Sequence, residues 1–87
     1  MAYYQQMSAT GQVKVGAGRL YAIIVSSTTT GTLTIYDTHD GDTNDPKIID
    51  TITPAAGTVI NFNPGVSFNN GLYCVEGNTL VWTVVYE

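Results

Sequence analysis

The sequence is poor in charge, in strong helix formers and in cysteine. Seven acidic residues face three cations, Lys14, Arg19 and Lys47, among 87 residues, giving a net charge of −4. Three scattered cations cannot neutralise a run of phosphates, so neither nucleic acid nor an anionic membrane surface is an expected partner. Cys74 is the single cysteine, which excludes an intrachain disulfide and an all-cysteine zinc centre. No apolar run approaches the roughly 20 residues needed to span a bilayer as a helix. The opening Met1-Ala2-Tyr3-Tyr4 has no basic start and no apolar stretch, so no secretory signal is expected, and synthesis is expected in the cytoplasm. The length excludes a large barrel or a doubly wound nucleotide fold.

What is present is β-forming. Val, Ile and Thr together number 29, against four Leu and two Glu. Branching at Cβ restricts side chains in a helix and suits a pleated surface. Apolar runs between turn residues mark about eight short strands, at residues 12–15, 19–26, 32–36, 48–52, 58–62, 66–68, 72–76 and 79–86. Thr30-Gly31, Asn63-Pro64-Gly65, Asn69-Asn70-Gly71 and Gly77-Asn78 are among the separators, and Asn-Gly and Gly-Asn pairs tolerate the positive φ of tight turns. Many short strands punctuated in this way predict an all-β, small antiparallel β-sandwich or barrel. Residues 1–10 read as an N-terminal arm and 11–87 as one domain.

Alternation orients some of these strands. Leu33 and Ile35 share one face while Thr32 and Thr34 take the other; Ile60 and Phe62 oppose Val59 and Asn61. The runs at 20–25 and 80–86 are apolar on both faces. Each Val or Ile left exposed forgoes roughly 1.5–3 kcal/mol available from burial, so a second covered face is expected, either under a loop or the N-terminal arm or against another subunit. Tyr21, Ile23, Val25, Val81 and Val85 are the candidate contacts between subunits. In the arm, Tyr3, Tyr4 and Met7 are candidates for docking on a neighbouring protein.

The residues that could carry chemistry do not form a recognisable catalytic pattern. Asp37, Asp40, Asp42 and Asp45 could offer oxygen ligands to calcium, but the spacing fails the helical calcium loop. The position that should hold Gly is Asp45, and the one that should hold Glu is Thr51. A solvated loop is expected there, with no metal. His39 is the sole histidine, and a catalytic zinc needs three protein ligands. No G-x-S-x-G nucleophile elbow exists. Glu76, Asp50 and Glu87 lack the room for a paired-carboxylate cleft. Cys74 alternates with Leu72, and Trp82 with Leu80 and Val84, so both read as core. No enzyme and no cofactor are expected.

Gly16-Ala17-Gly18-Arg19-Leu20-Tyr21 followed by Gly31-Thr32-Leu33-Thr34-Ile35-Tyr36-Asp37 resembles small β-sandwich structural proteins of tailed bacteriophages. Ile49-Asp50-Thr51-Ile52-Thr53, Asn70-Gly71-Leu72-Tyr73 and the closing strand fit the same pattern, over most of residues 13–86. The resemblance implies a jelly-roll-like fold and a virion role. It points to a capsid decoration (cement) protein, a homotrimer bound to the major capsid protein on the capsid surface after synthesis in the host cytoplasm. It carries no catalytic motif. A neck or fibre position, or a carbohydrate-binding or adhesive module, is the alternative.

Overall fold

The computed structural model describes residues 3–42 and 44–87, and none of these is helical. Met1 and Ala2 of the arm and Thr43 of the acidic loop lie outside the described residues. Six strands follow in chain order: β1 (Tyr3–Met7), β2 (Gly11–Val15), β3 (Gly18–Tyr36), β4 (Lys47–Ile52), β5 (Val59–Phe68) and β6 (Gly71–Tyr86). All belong to one open antiparallel sheet rather than to two separately hydrogen-bonded layers. β3 and β6 form its middle and pair from Leu20 with Tyr86 to Tyr36 with Tyr73. β1 and then β2 run along the far side of β6. β5 and β4 do the same along β3, beside residues 18–24 and 33–36 respectively.

The strand count differs from the expected eight for a physical reason. The breaks expected at Thr30-Gly31, Asn63-Pro64-Gly65 and Gly77-Asn78 fall inside β3, β5 and β6. A residue that tolerates positive φ permits a reversal without compelling one. In β3 and β6 the flanking strands keep pairing on both sides, and the chain kinks instead of turning back. Residues 3–7, read as part of an arm, form β1, which pairs with β6 over five consecutive residues.

The core explains how a single sheet can be stable. A flat layer leaves both faces in water, yet Leu20, Ile23, Leu33, Ile35, Leu72, Leu80, Trp82 and Val84 have no exposure at all and belong to one cluster. The sheet therefore curves around its inner face, and bulges supply the twist that makes this possible. β3 and β6 slip register at Leu20/Ala22, Val25/Ser27 and Thr29/Thr30. Leu33 and Ile35 point inward as their alternation predicts, and so do Cys74 and Trp82.

A paired kink lies midway along the central pair. Thr30 and Asn78 have φ of 50° and 57°, a region that a β-branched residue enters only under constraint. The constraint is local hydrogen bonding. The Asn78 side chain donates to the Thr30 carbonyl at 2.8 Å, and Gly31 N–H donates to Thr28 Oγ1 at 2.9 Å. Gly31 must be glycine because a Cβ there would sit 2.5 Å from the Thr79 carbonyl oxygen and 2.9 Å from Leu80 Cβ. Gly31→Ala is expected to destabilise the fold by about 1–3 kcal/mol. Thr30→Asn relieves left-handed strain and is expected to stabilise it by about 1 kcal/mol. Denaturant unfolding of the two variants checks both signs.

Candidate functional site

The acidic loop is the first place to look for chemistry, and it divides into two parts. Asp37, at the end of β3, turns away from the other aspartates and accepts N–H bonds from Asn69, Asn70 and Gly71 at 2.8–3.2 Å. Partial burial opposes its ionisation, but the three backbone donors outweigh that and hold its carboxyl below the ordinary 3.8. Asp37 thus ties the end of β3 to the β5–β6 turn. Asp40, Asp42 and Asp45 bring one carboxylate oxygen each within 4.8 Å of one another. Oxygens of Asp40 and Asp42 already accept bonds from the Thr38 hydroxyl and from the Asp42 and Asn44 N–H groups. The Thr38 hydroxyl, then the Asp42 N–H, with His39 close by, hold the Asp40 carboxyl below the usual range. These are the local turn bonds typical of Asp and Asn in loops.

The remaining reactive side chains stand apart. His39 is exposed in the acidic loop. Asp50 lies on β4 in an exposed ion pair with Lys47 at 3.2 Å. Glu76 lies opposite Leu33 on β6, and Glu87 follows β6 with its backbone bonded to Arg19. Burial pushes the Cys74 thiol up to about 12, an effect the neighbouring Trp82 indole offsets in part. That indole N–H still makes no hydrogen bond of ordinary geometry, and nor does one buried carboxylate oxygen of Glu76. A thiol held this high is a core filler, since the thiolate is the reactive form.

The feature that stands out is a surface. Residues opposite one another across antiparallel strands share a face. Register therefore puts Tyr4, Val85, Ala22 and Asn61 in one outer row across β1, β6, β3 and β5. Gln6, Thr83, Ile24 and Val59 form the next. None of the eight is charged. Tyr4 is 78% exposed, Val59 53% and Ile24 38%. Beside this face, Asn61, Phe62, Pro64, Gly65 and Val66 line a shallow depression of about 320 Å³.

The candidate contact residues are distributed unevenly over these faces. Val85 and Val81 are half-buried on β6, and Val85 belongs to the outer row. Ile23 and Val25 are sealed in the chain's own core at 0% and 1% exposure. Tyr21 sits at the bulge, its ring over Gly65. Of the arm residues, Tyr4 is on the outer face and Tyr3 lies against the Tyr86 ring with centroids 6.0 Å apart. Met7 is core, packed at 3.2 Å over the space a Gly11 Cβ would fill. Ile24 and Val59 were not among the candidates. The run apolar on both faces announces a second face, but the bulge between Leu20 and Ala22 shifts the alternation by one residue. That shift turns Ile23 inward and Ile24 outward.

Compared with family models, with curated proteins and with solved structures, the chain matches none.

Two outcomes test this local chemistry. Asp37→Ala is expected to cost about 1–2 kcal/mol through its orphaned N–H donors. Because the folded carboxyl value is lowered, its contribution is whole above the ordinary 3.8 and is lost as pH falls through the folded value. Stability of the variant should therefore fall less steeply in acid than that of the parent chain, as urea titrations at pH 6 and pH 3 would read. Cys74 should resist a thiol reagent at neutral pH until the chain is unfolded, and rapid labelling of the native protein would contradict its placement.

Proposed function

We propose that the chain is a virion structural protein of the tailed-phage type, a capsid decoration protein that binds the shell exterior as a homo-oligomer and stabilises it. The observation that carries this reading is the uncharged outer face of β1, β6, β3 and β5, with Tyr4, Ile24 and Val59 open to water. Completing the burial of Ile24 and Val59, 38% and 53% exposed, is worth about half of the roughly 1.5–3 kcal/mol of a whole aliphatic side chain, and a domain this small gains from burying them against copies of itself. A homotrimer on the resemblance, with the major capsid protein as partner, fits a role in which several identical weak contacts add by avidity. The sparse charge and the abundance of Thr and Asn suit wet, polar contacts with a shell.

The jelly-roll reading of the fold belongs to the same proposal. Divided at the kinks, β3 and β6 each supply two segments. One set comprises β1, residues 82–86, residues 18–24 and β5; the other comprises β2, residues 71–77, residues 32–36 and β4. Two four-membered sets around one core are the layers that a jelly-roll sandwich requires. In the second reading, a carbohydrate-binding module, the depression beside Phe62 would hold the ligand.

Light scattering of the size-separated chain is expected to give an oligomer. Ile24→Lys combined with Val59→Lys is expected to leave the chain folded and to lower its assembled mass. Antibody against the chain should label the outer shell of intact particles. Labelling confined to neck or fibre would move the protein within the virion, and a folded wild-type monomer that binds glycans and no particle would overturn the proposal.

A further inference from the structure

The sheet has four outer edges, and three of them are guarded. β4 carries Lys47 and Asp50 and lies between Pro46 and Pro54. β2 carries Lys14 and a register shift between Gln12 and Lys14. β5 contains Pro64, which has no N–H to offer. Charge, proline and bulges are the devices that keep an edge from pairing with another chain. β1 has none of them. Its five residues, Tyr3-Tyr4-Gln5-Gln6-Met7, are uncharged and pair with β6 without a register shift. Among the described residues no strand other than β6 pairs with it.

We propose that the free edge of β1 pairs antiparallel with β1 of a second copy of this chain across a two-fold axis, a contact that joins one homotrimer to another rather than lying inside one. The occupant follows from charge. In an isologous antiparallel pairing the residue on the axis meets its own counterpart and its neighbours pair close by, so a charge at the centre of the strand would oppose its twin. β1 is the edge that escapes this penalty, and a charged foreign strand would find no complementary partner on it. Centred on Gln5, the pairing sets Tyr3 against Met7 and Tyr4 against Gln6. Gln5 then meets its own counterpart, two amides that can each donate and accept. The pairing also joins the two outer faces. Tyr4, 78% exposed at the end of its row, comes to the middle of one apolar surface shared by both copies.

This inference rests on the reading that the chain assembles with itself, but it assigns an edge rather than a face, so the two can fail separately. Hydrogen exchange over β1 and light scattering on the full chain test it together. In the wild type, the edge amides of β1 should exchange at least tenfold more slowly at concentrations where the oligomer forms. The same slowing should persist at high concentration in the variant with Ile24→Lys and Val59→Lys. Gln5→Lys should halve the assembled mass, and an equimolar mixture with Gln5→Glu should restore it. A wild type that stays monomeric at every concentration would overturn both readings. An oligomer whose β1 amides exchange at the monomer's rate would overturn the edge pairing alone.

Discussion

Thr30 on β3 and Asn78 on β6 both hold left-handed backbone at the same level of the central strand pair, and the Asn78 side chain clamps the Thr30 carbonyl. The shape of the molecule depends on that paired kink. Without it, β3 and β6 would be two long strands with one face in water, and Leu20, Leu33, Leu72 and Trp82 could not all lie in one sealed cluster. The strain of two non-glycine residues at positive φ, of order 1–3 kcal/mol each, is small beside the burial that the curvature makes possible.

The kink also decides what faces outward. Side chains on the inner surface saturate the core of the chain itself, so the aliphatic groups left over appear on the convex side of β1, β6, β3 and β5. Ile24, Val59 and Val85 form an uncharged face, whereas Asp37, Asp50 and Cys74 are engaged elsewhere. Asp37 is consumed in holding the β5–β6 turn, Asp50 pairs with Lys47, and Cys74 is buried at a thiol value of about 12. The face itself carries no charged side chain. The edge strand β1 extends the same logic from side chains to backbone.

Much of this was legible in the residues. The β-branched composition announced an all-β chain, and the alternation at Leu33/Ile35 and Ile60/Phe62 oriented two strands as found. Leu72 with Cys74, and Leu80 with Trp82 and Val84, likewise lie in the core that their spacing predicts. What the residues did not reveal was continuity. Gly31, Pro64 and Gly77 look like turns because local backbone preference is the same for a kink and a reversal, and only pairing with neighbours on both sides distinguishes them. The inward placement of Ile23 and Val25 escaped for a related reason, since one bulged residue inverts the parity of everything after it. Residues 3–7 read as an arm because Tyr-Tyr-Gln-Gln-Met alternates weakly, with Met7 the one fully inward side chain.

The central claim is that the convex apolar face is a surface of contact between copies. Hydroxyl-radical footprinting as a function of protein concentration tests it most directly, because it reads side-chain exposure residue by residue. Tyr4, Ile24, Val59 and Val85 should become protected as concentration rises, while Val15, 67% exposed and away from that face, should keep its reactivity. Labelling of Tyr4, Ile24, Val59 and Val85 that stays unchanged as concentration rises would contradict the claim.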